Sequence, residues 1–105
     1  MIYTNFTNGF GNNIFQYNAA RVLAEHLGDE VLAVPPNSGY YGIGPLEALG
    51  VKFAKNLPGN LVTVNDSAYV KAFRTENYKN KNILLNGYFE DYLPQKYQLN
   101  YLPLF

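Results

Sequence analysis

Asn8-Gly9-Phe10-Gly11-Asn12-Asn13-Ile14-Phe15-Gln16-Tyr17-Asn18-Ala19-Ala20-Arg21 decides the fold of this chain. A short, β-prone apolar run, Ile2 to Phe6, precedes it, and an amphipathic run that ends at Gly28 continues it. Strand, glycine turn and helix start in immediate succession are how α/β folds bring backbone N–H groups up to an anionic ligand. Gly9 and Gly11 lack a Cβ, which opens the turn to positive φ and to close approach of another group. Asn12 and Asn13 stand at the helix entry, where Asn caps well. The spacing fits neither of two familiar nucleotide loops. A dinucleotide fingerprint needs Gly or Ala where Ile14 stands, and a P-loop needs Gly-Lys-Ser or Gly-Lys-Thr after the glycines.

From this stretch the pattern extends in chain order. The helix runs from about Asn13 to Leu27, with Phe15, Ala19, Val22, Leu23 and Leu27 on one face and Asn13, Tyr17, Arg21 and Glu25 on the other. Gly28 is suited to terminate it in a left-handed conformation. Glu30 to Val34 reads as a second strand, completing a βαβ unit with a right-handed crossover. The Pro- and Gly-rich stretch from Pro35 to Pro45 is then a loop at the carboxyl edge of the sheet, where open α/β sheets place ligands. Tyr40 and Tyr41 there either face a sugar ring or pack the loop on itself. Pro45 to Leu49 suggests one or two helical turns. Leu61–Val64 reads as a third strand, followed by a short helix capped by Asn65 or Asp66. Ile83–Leu85 reads as a further strand that Gly87 ends. The expected fold class is α/β: a small Rossmann-like three-layer domain with a mostly parallel sheet of three or four strands, filling residues 1–105 as one domain.

Composition narrows the function. The chain has 105 residues, 48% hydrophobic and 15% charged, enough apolar content for a core, and its net charge of +0 gives no footprint for nucleic acid. There is no cysteine and one histidine, His26, so neither a disulfide framework nor a thiolate or histidine-rich metal site is available. No apolar run reaches the length of a membrane span, and the N-terminus lacks the pattern of a signal peptide, so the expected location is cytoplasmic. The C-terminal run Tyr97-Gln98-Leu99-Asn100-Tyr101-Leu102-Pro103-Leu104-Phe105 is too apolar to stand free. It calls for cover from this domain, a second copy or a missing half.

Two segments carry a resemblance to a known family. The first resembles the N-terminal signature of the α-1,2-fucosyltransferases (glycosyltransferase family 11), approximately G-G-L-G-N-Q-M-F-Q-Y-A-A, with Gly9, Gly11, Asn12, Phe15, Gln16, Tyr17, Ala19 and Ala20 matching. Asn8, Phe10, Asn13, Ile14 and Asn18 depart from it. The second is Gly87-Tyr88-Phe89, which resembles the start of the family's G-Y-F-Q-S segment; Glu90 and Asp91 replace Gln-Ser. Adjacent carboxylates on a strand point to opposite faces, and Glu90 and Asp91 fit a helix cap better than an acid/base pair.

The resemblance implies the first Rossmann-like half of a two-domain GT-B glycosyltransferase. The implied reaction moves fucose from GDP-fucose to a galactoside hydroxyl, with inversion and without a metal. It needs no cofactor other than that donor substrate. It also implies that Gly9, Phe10, Gly11, Asn12, Gln16, Tyr17, Gly87, Tyr88 and Phe89 line the substrate cleft. The partners it implies are a nucleotide sugar, a glycan acceptor and a C-terminal half. The family draws its leaving-group cation from an H-x-R-x-x-D motif in that half, and this sequence has no such motif: His26 is followed by Leu27 and Gly28. No catalytic residue is assigned. Three roles are then open: part of a transferase, inactive alone; a stand-alone nucleotide- or sugar-binding module; or a non-catalytic structural remnant.

Overall fold

The computed structural model describes residues 1–37 and 40–89, and of Phe10 and Glu76 the backbone. Four strands form one sheet: β1 (Ile2–Asn5), β2 (Val31–Val34), β3 (Leu61–Val64) and β4 (Asn82–Leu85). Their order is β2-β1-β4-β3, and every pairing is parallel. Three helices connect them: α1 (Phe10–Leu27), α2 (Ile43–Ala48) and α3 (Asp66–Arg74). A 3₁₀ turn, Glu76–Tyr78, precedes β4. The expected α/β, Rossmann-like domain with a parallel sheet is therefore the fold. A single parallel bridge, Ala33 to Phe53, extends the sheet beyond β2. No helix among the described residues is long and apolar enough to cross a membrane.

Strand alternation places the core. Ile2, Thr4, Val31, Ala33, Ile83, Leu85 and Val64 share one face through the strand register, and all are buried. Thr4 Oγ1 donates to the Gln16 carbonyl oxygen at 3.2 Å, which fixes α1 over that face. Ala19, Ala20 and Leu23 meet the sheet with 2% exposure or less. Alanines at two of these positions let the helix lie close to the strands. Tyr69 of α3 donates its hydroxyl to the Ala19 carbonyl oxygen at 2.8 Å, docking α3 beside α1. Leu46 of α2 and Val51 join the same core.

Helix α1 begins three residues earlier than its polar entry suggests, at Phe10 instead of Asn13. Gly9 is its N-cap, with φ 113°, and Gly28 ends it in the left-handed region, φ 69°. The division of α1 into an apolar and a polar face also needs correction. Asn13 is fully buried and Tyr17 is 6% exposed, although both lie on the face expected to be polar. Asn13 is covered by the loop after β2, whose Tyr40 hydroxyl donates to its Oδ1, and Tyr17 borders a cavity with Met1, Glu30 and Val31. Asn65 caps α3 as expected, accepting the Ala68 N–H at 3.1 Å.

Candidate functional site

All strands point the same way, so the glycine turn after β1, the loop after β2, the start of α3 after β3 and the segment after β4 all gather at the carboxyl edge of the sheet. The first intrahelical bond of α1 runs from the Asn13 N–H to the Gly9 carbonyl oxygen at 3.2 Å. The amides of Phe10, Gly11 and Asn12 precede it and carry the positive end of an 18-residue helix.

The three glycines of the site have three different reasons. Gly9 is held at φ 113°, a region side chains disfavour. Gly87 has no room: a Cβ would collide with Asp66 Oδ1 and come within 3.2 Å of the Phe89 ring. Gly11 has neither constraint. Its φ is not positive, a Cβ there would meet nothing within 4 Å, and it is exposed. Glycine in a helix costs roughly 0.5–1 kcal/mol relative to Ala, and at Gly11 the fold gives nothing in return. What remains is the open approach it leaves to the amides at the tip of α1.

Beneath the turn lies a buried polar cluster. Gln16, with no exposure, accepts the Thr7 N–H at 3.3 Å and an Asn13 Nδ2 hydrogen at 3.1 Å. Its Nε2 donates to Thr7 Oγ1 at 3.2 Å and to the Gly87 carbonyl oxygen at 2.9 Å. Asn13 Nδ2 also donates to the Thr7 carbonyl oxygen at 2.8 Å, and its Oδ1 accepts the Tyr40 hydroxyl. Burial pushes the Tyr40 hydroxyl above its ordinary value. The Tyr40 ring also meets Phe6 edge-on at 6.5 Å. One network thus ties the glycine turn, the loop after β2 and the segment after β4 together.

The expected site residues divide on this geometry. Gly9, Gly11 and Asn12 sit at the tip of α1, with Phe10 placed there by its backbone. Gly87 is tied to Thr7 of the turn through Gln16, and the adjacent Tyr88 is half-exposed. Gln16, Tyr17 and Phe89 are buried, with exposures of 0%, 6% and 0%, and Tyr17 borders a separate cavity near the amino ends of β1 and β2 with Met1, Arg21 and Glu30. Phe89 stacks on Tyr69 at 5.2 Å and lends its N–H to Asp66 Oδ2 at 3.4 Å. Gln16 and Phe89 act by holding the edge in shape. Glu90, Asp91 and the apolar run from Tyr97 lie outside the described residues.

The loop after β2 adjoins the glycine turn. A cleft of about 440 Å³, lined by Asn8, Gly9, Tyr40, Tyr41, Gly42 and Pro45, opens beside the tip of α1. Tyr40 is fixed in its wall, whereas Tyr41 is 94% exposed. Tyr40 therefore packs the loop, one of the two alternatives, and Tyr41 stands exposed at the mouth of the cleft. The signal available in the sequence was the adjacent tyrosine pair in a glycine-rich loop. His26 stacks on Phe73 at 5.0 Å at the opposite end of α1. Among the described residues there is no group of three or more His, Cys, Asp or Glu able to hold a metal. Comparison of the chain with family models, curated proteins and solved structures gives no match.

Proposed function

We propose that this domain binds the diphosphate of a nucleotide sugar at the tip of α1 and a sugar ring in the adjoining Tyr40–Tyr41 cleft, as one half of a fucosyltransferase-like glycosyltransferase. The observation that carries this reading is Gly11: the fold does not require it, yet it leaves the helix amides open. Backbone N–H groups aimed at a departing diphosphate stabilise it without reorganising. The resemblance of Gly9–Ala20 and Gly87–Phe89 to the α-1,2-fucosyltransferases supplies the substrate class: GDP-fucose as donor and a galactoside as acceptor.

On this reading the 105 residues bind but do not turn over. The sequence has no H-x-R-x-x-D motif to neutralise the leaving diphosphate, and neither arginine stands at the turn. Arg21 lies beyond the first turns of α1, and Arg74 ends α3. In a two-domain transferase, holding donor and acceptor between opposing halves supplies several kcal/mol of the barrier. Calorimetry of the purified chain should detect GDP more strongly than guanosine, and an assay with GDP-fucose and a galactoside panel should show no sustained transfer. Equal heats for GDP and guanosine would remove the diphosphate from the account. Sustained transfer would show that the chain supplies a cation of its own.

The apolar cleft also favours a second reading, a module that binds glycan without nucleotide. A galactoside that binds in the absence of GDP, with GDP itself inert, would select it.

A further inference from the structure

Two glycines of the carboxyl edge each follow an asparagine. Asn8-Gly9 precedes α1 and Asn86-Gly87 follows β4, and the sequence holds no other Asn-Gly pair. Asparagine is a thermolabile residue. Its side-chain amide can be displaced by the next backbone nitrogen, and a glycine there has no Cβ to stand against the attack.

The fold treats the two pairs differently. Asn86 donates its N–H to the Val64 carbonyl oxygen at 2.9 Å, and its Oδ1 accepts an Asn5 Nδ2 hydrogen at 3.3 Å. Gly87 is packed against Asp66 and the Phe89 ring, and its carbonyl oxygen takes the Gln16 bond at 2.9 Å. Ring closure requires the backbone at the pair to turn, and these contacts oppose that. Asn8 is exposed, and its Oδ1 accepts an Asn37 Nδ2 hydrogen at 3.5 Å, beyond the usual range of a hydrogen bond. Gly9 is exposed as well, and a Cβ there would meet only the Asn12 side chain within 4 Å.

We propose that Asn8 is a site of spontaneous deamidation in the folded chain, and that the fold protects Asn86. The Gly9 amide nitrogen attacks Cγ of Asn8. The new N–Cγ bond forms, the Cγ–Nδ2 bond breaks, and Nδ2 leaves as ammonia with the Gly9 amide proton. Solvent water then opens the resulting succinimide. Opening at Cγ gives aspartate, and opening at the backbone carbonyl gives isoaspartate. The net change is one water taken up and one ammonia released.

The product puts a negative charge in the wall of the cleft that Asn8 and Gly9 line. The first turn of α1 holds no acidic residue, so this carboxylate is the one drawn to the positive end of the helix. It therefore competes with an incoming diphosphate, a consequence that rests on the reading of that end as a diphosphate site. The conversion itself does not.

The test is incubation of the full chain at mildly alkaline pH, folded and in urea, with mass spectrometry of the peptides that carry each pair and isoaspartyl methylation to mark isoaspartate. In the folded chain, conversion at Asn8 should outpace conversion at Asn86 severalfold, and in urea the two rates should converge. Equal rates in the folded chain, or a slower rate at Asn8, would overturn the proposal. Asn8→Asp should also bind pyrophosphate severalfold more weakly than Asn8→Ser, and equal affinities would overturn the competition. A natural chain that binds no pyrophosphate would instead remove the diphosphate reading, and the rates at Asn8 and Asn86, read by mass alone, would still decide the proposal.

Discussion

Gln16 Nε2 donates to the carbonyl oxygen of Gly87 at 2.9 Å, joining positions 71 apart in sequence. The first motif-like segment lies in α1 and the second follows β4, so this one bond fixes the spacing of the two halves of the candidate site. The remaining polar atoms of Gln16 are spent on Thr7 and Asn13. The side chain is therefore a brace, and its effect on ligand binding passes through the backbone it holds.

Gln16→Leu should remove this brace while keeping much of the volume. The Gly87 carbonyl and the Thr7 N–H, both part-buried, would lose their partner, a loss of about 1–3 kcal/mol. Chemical denaturation measures it. Loss of less than about 0.5 kcal/mol, the scale of an ordinary surface change, would show that the cluster is not what holds the edge.

Gly87→Ala should destabilise the fold because the new Cβ lands on Asp66 Oδ1. Overpacking of this kind costs about 1–3 kcal/mol. Shortening the neighbour should relieve part of it, so Gly87→Ala combined with Asp66→Ser should cost less than the sum of the two single changes. Strict additivity in the double-mutant cycle would contradict the contact.

Gly9 and Gly11 should part ways. Gly9→Ala forces a side chain into φ 113°, at about 1–3 kcal/mol of stability. Gly11→Ala meets open space and should be neutral or stabilising by up to about 1 kcal/mol, yet weaken GDP. Thermal unfolding and calorimetry on both variants separate the two roles.

Tyr40 gives the domain a pH dependence on the alkaline side. Burial raises its hydroxyl above 10.0 in the folded state. The unfolded chain therefore ionises first. The contribution is intact below the unfolded value and is lost as pH rises through the folded one. Tyr40→Phe should start less stable, because the bond to Asn13 is gone. It should also lose less stability between about pH 9 and about pH 11, narrowing the gap to the natural chain. Urea midpoints across that range measure this, and a gap of constant width would exclude the linkage.

The strands and their parallel arrangement were legible in the sequence because short apolar runs alternated with a helix-spaced one and with turn residues. What misled was polarity. Asn13 and Gln16 look like groups meant for solvent or ligand, yet both are fully buried, since each finds partners on segments distant in sequence. No periodicity reports such pairings. The start of α1 was misplaced for a related reason: the helix is capped by the conformation of Gly9 and not by an Asn side chain. The Tyr40–Tyr41 cleft depends on a loop folding back over α1, which local pattern does not encode.

Amide chemical-shift mapping with GDP, on the natural chain and on Gly11→Val, decides whether the tip of α1 binds a diphosphate. Saturable shifts concentrated at residues 8–12 are expected, extending to 87–88 through the Gln16 brace, with pyrophosphate reproducing the shifts at the tip of α1. Gly11→Val, still folded, should lose them. Saturable shifts confined to regions away from residues 8–12, or full retention of the shifts in Gly11→Val, would contradict diphosphate binding there.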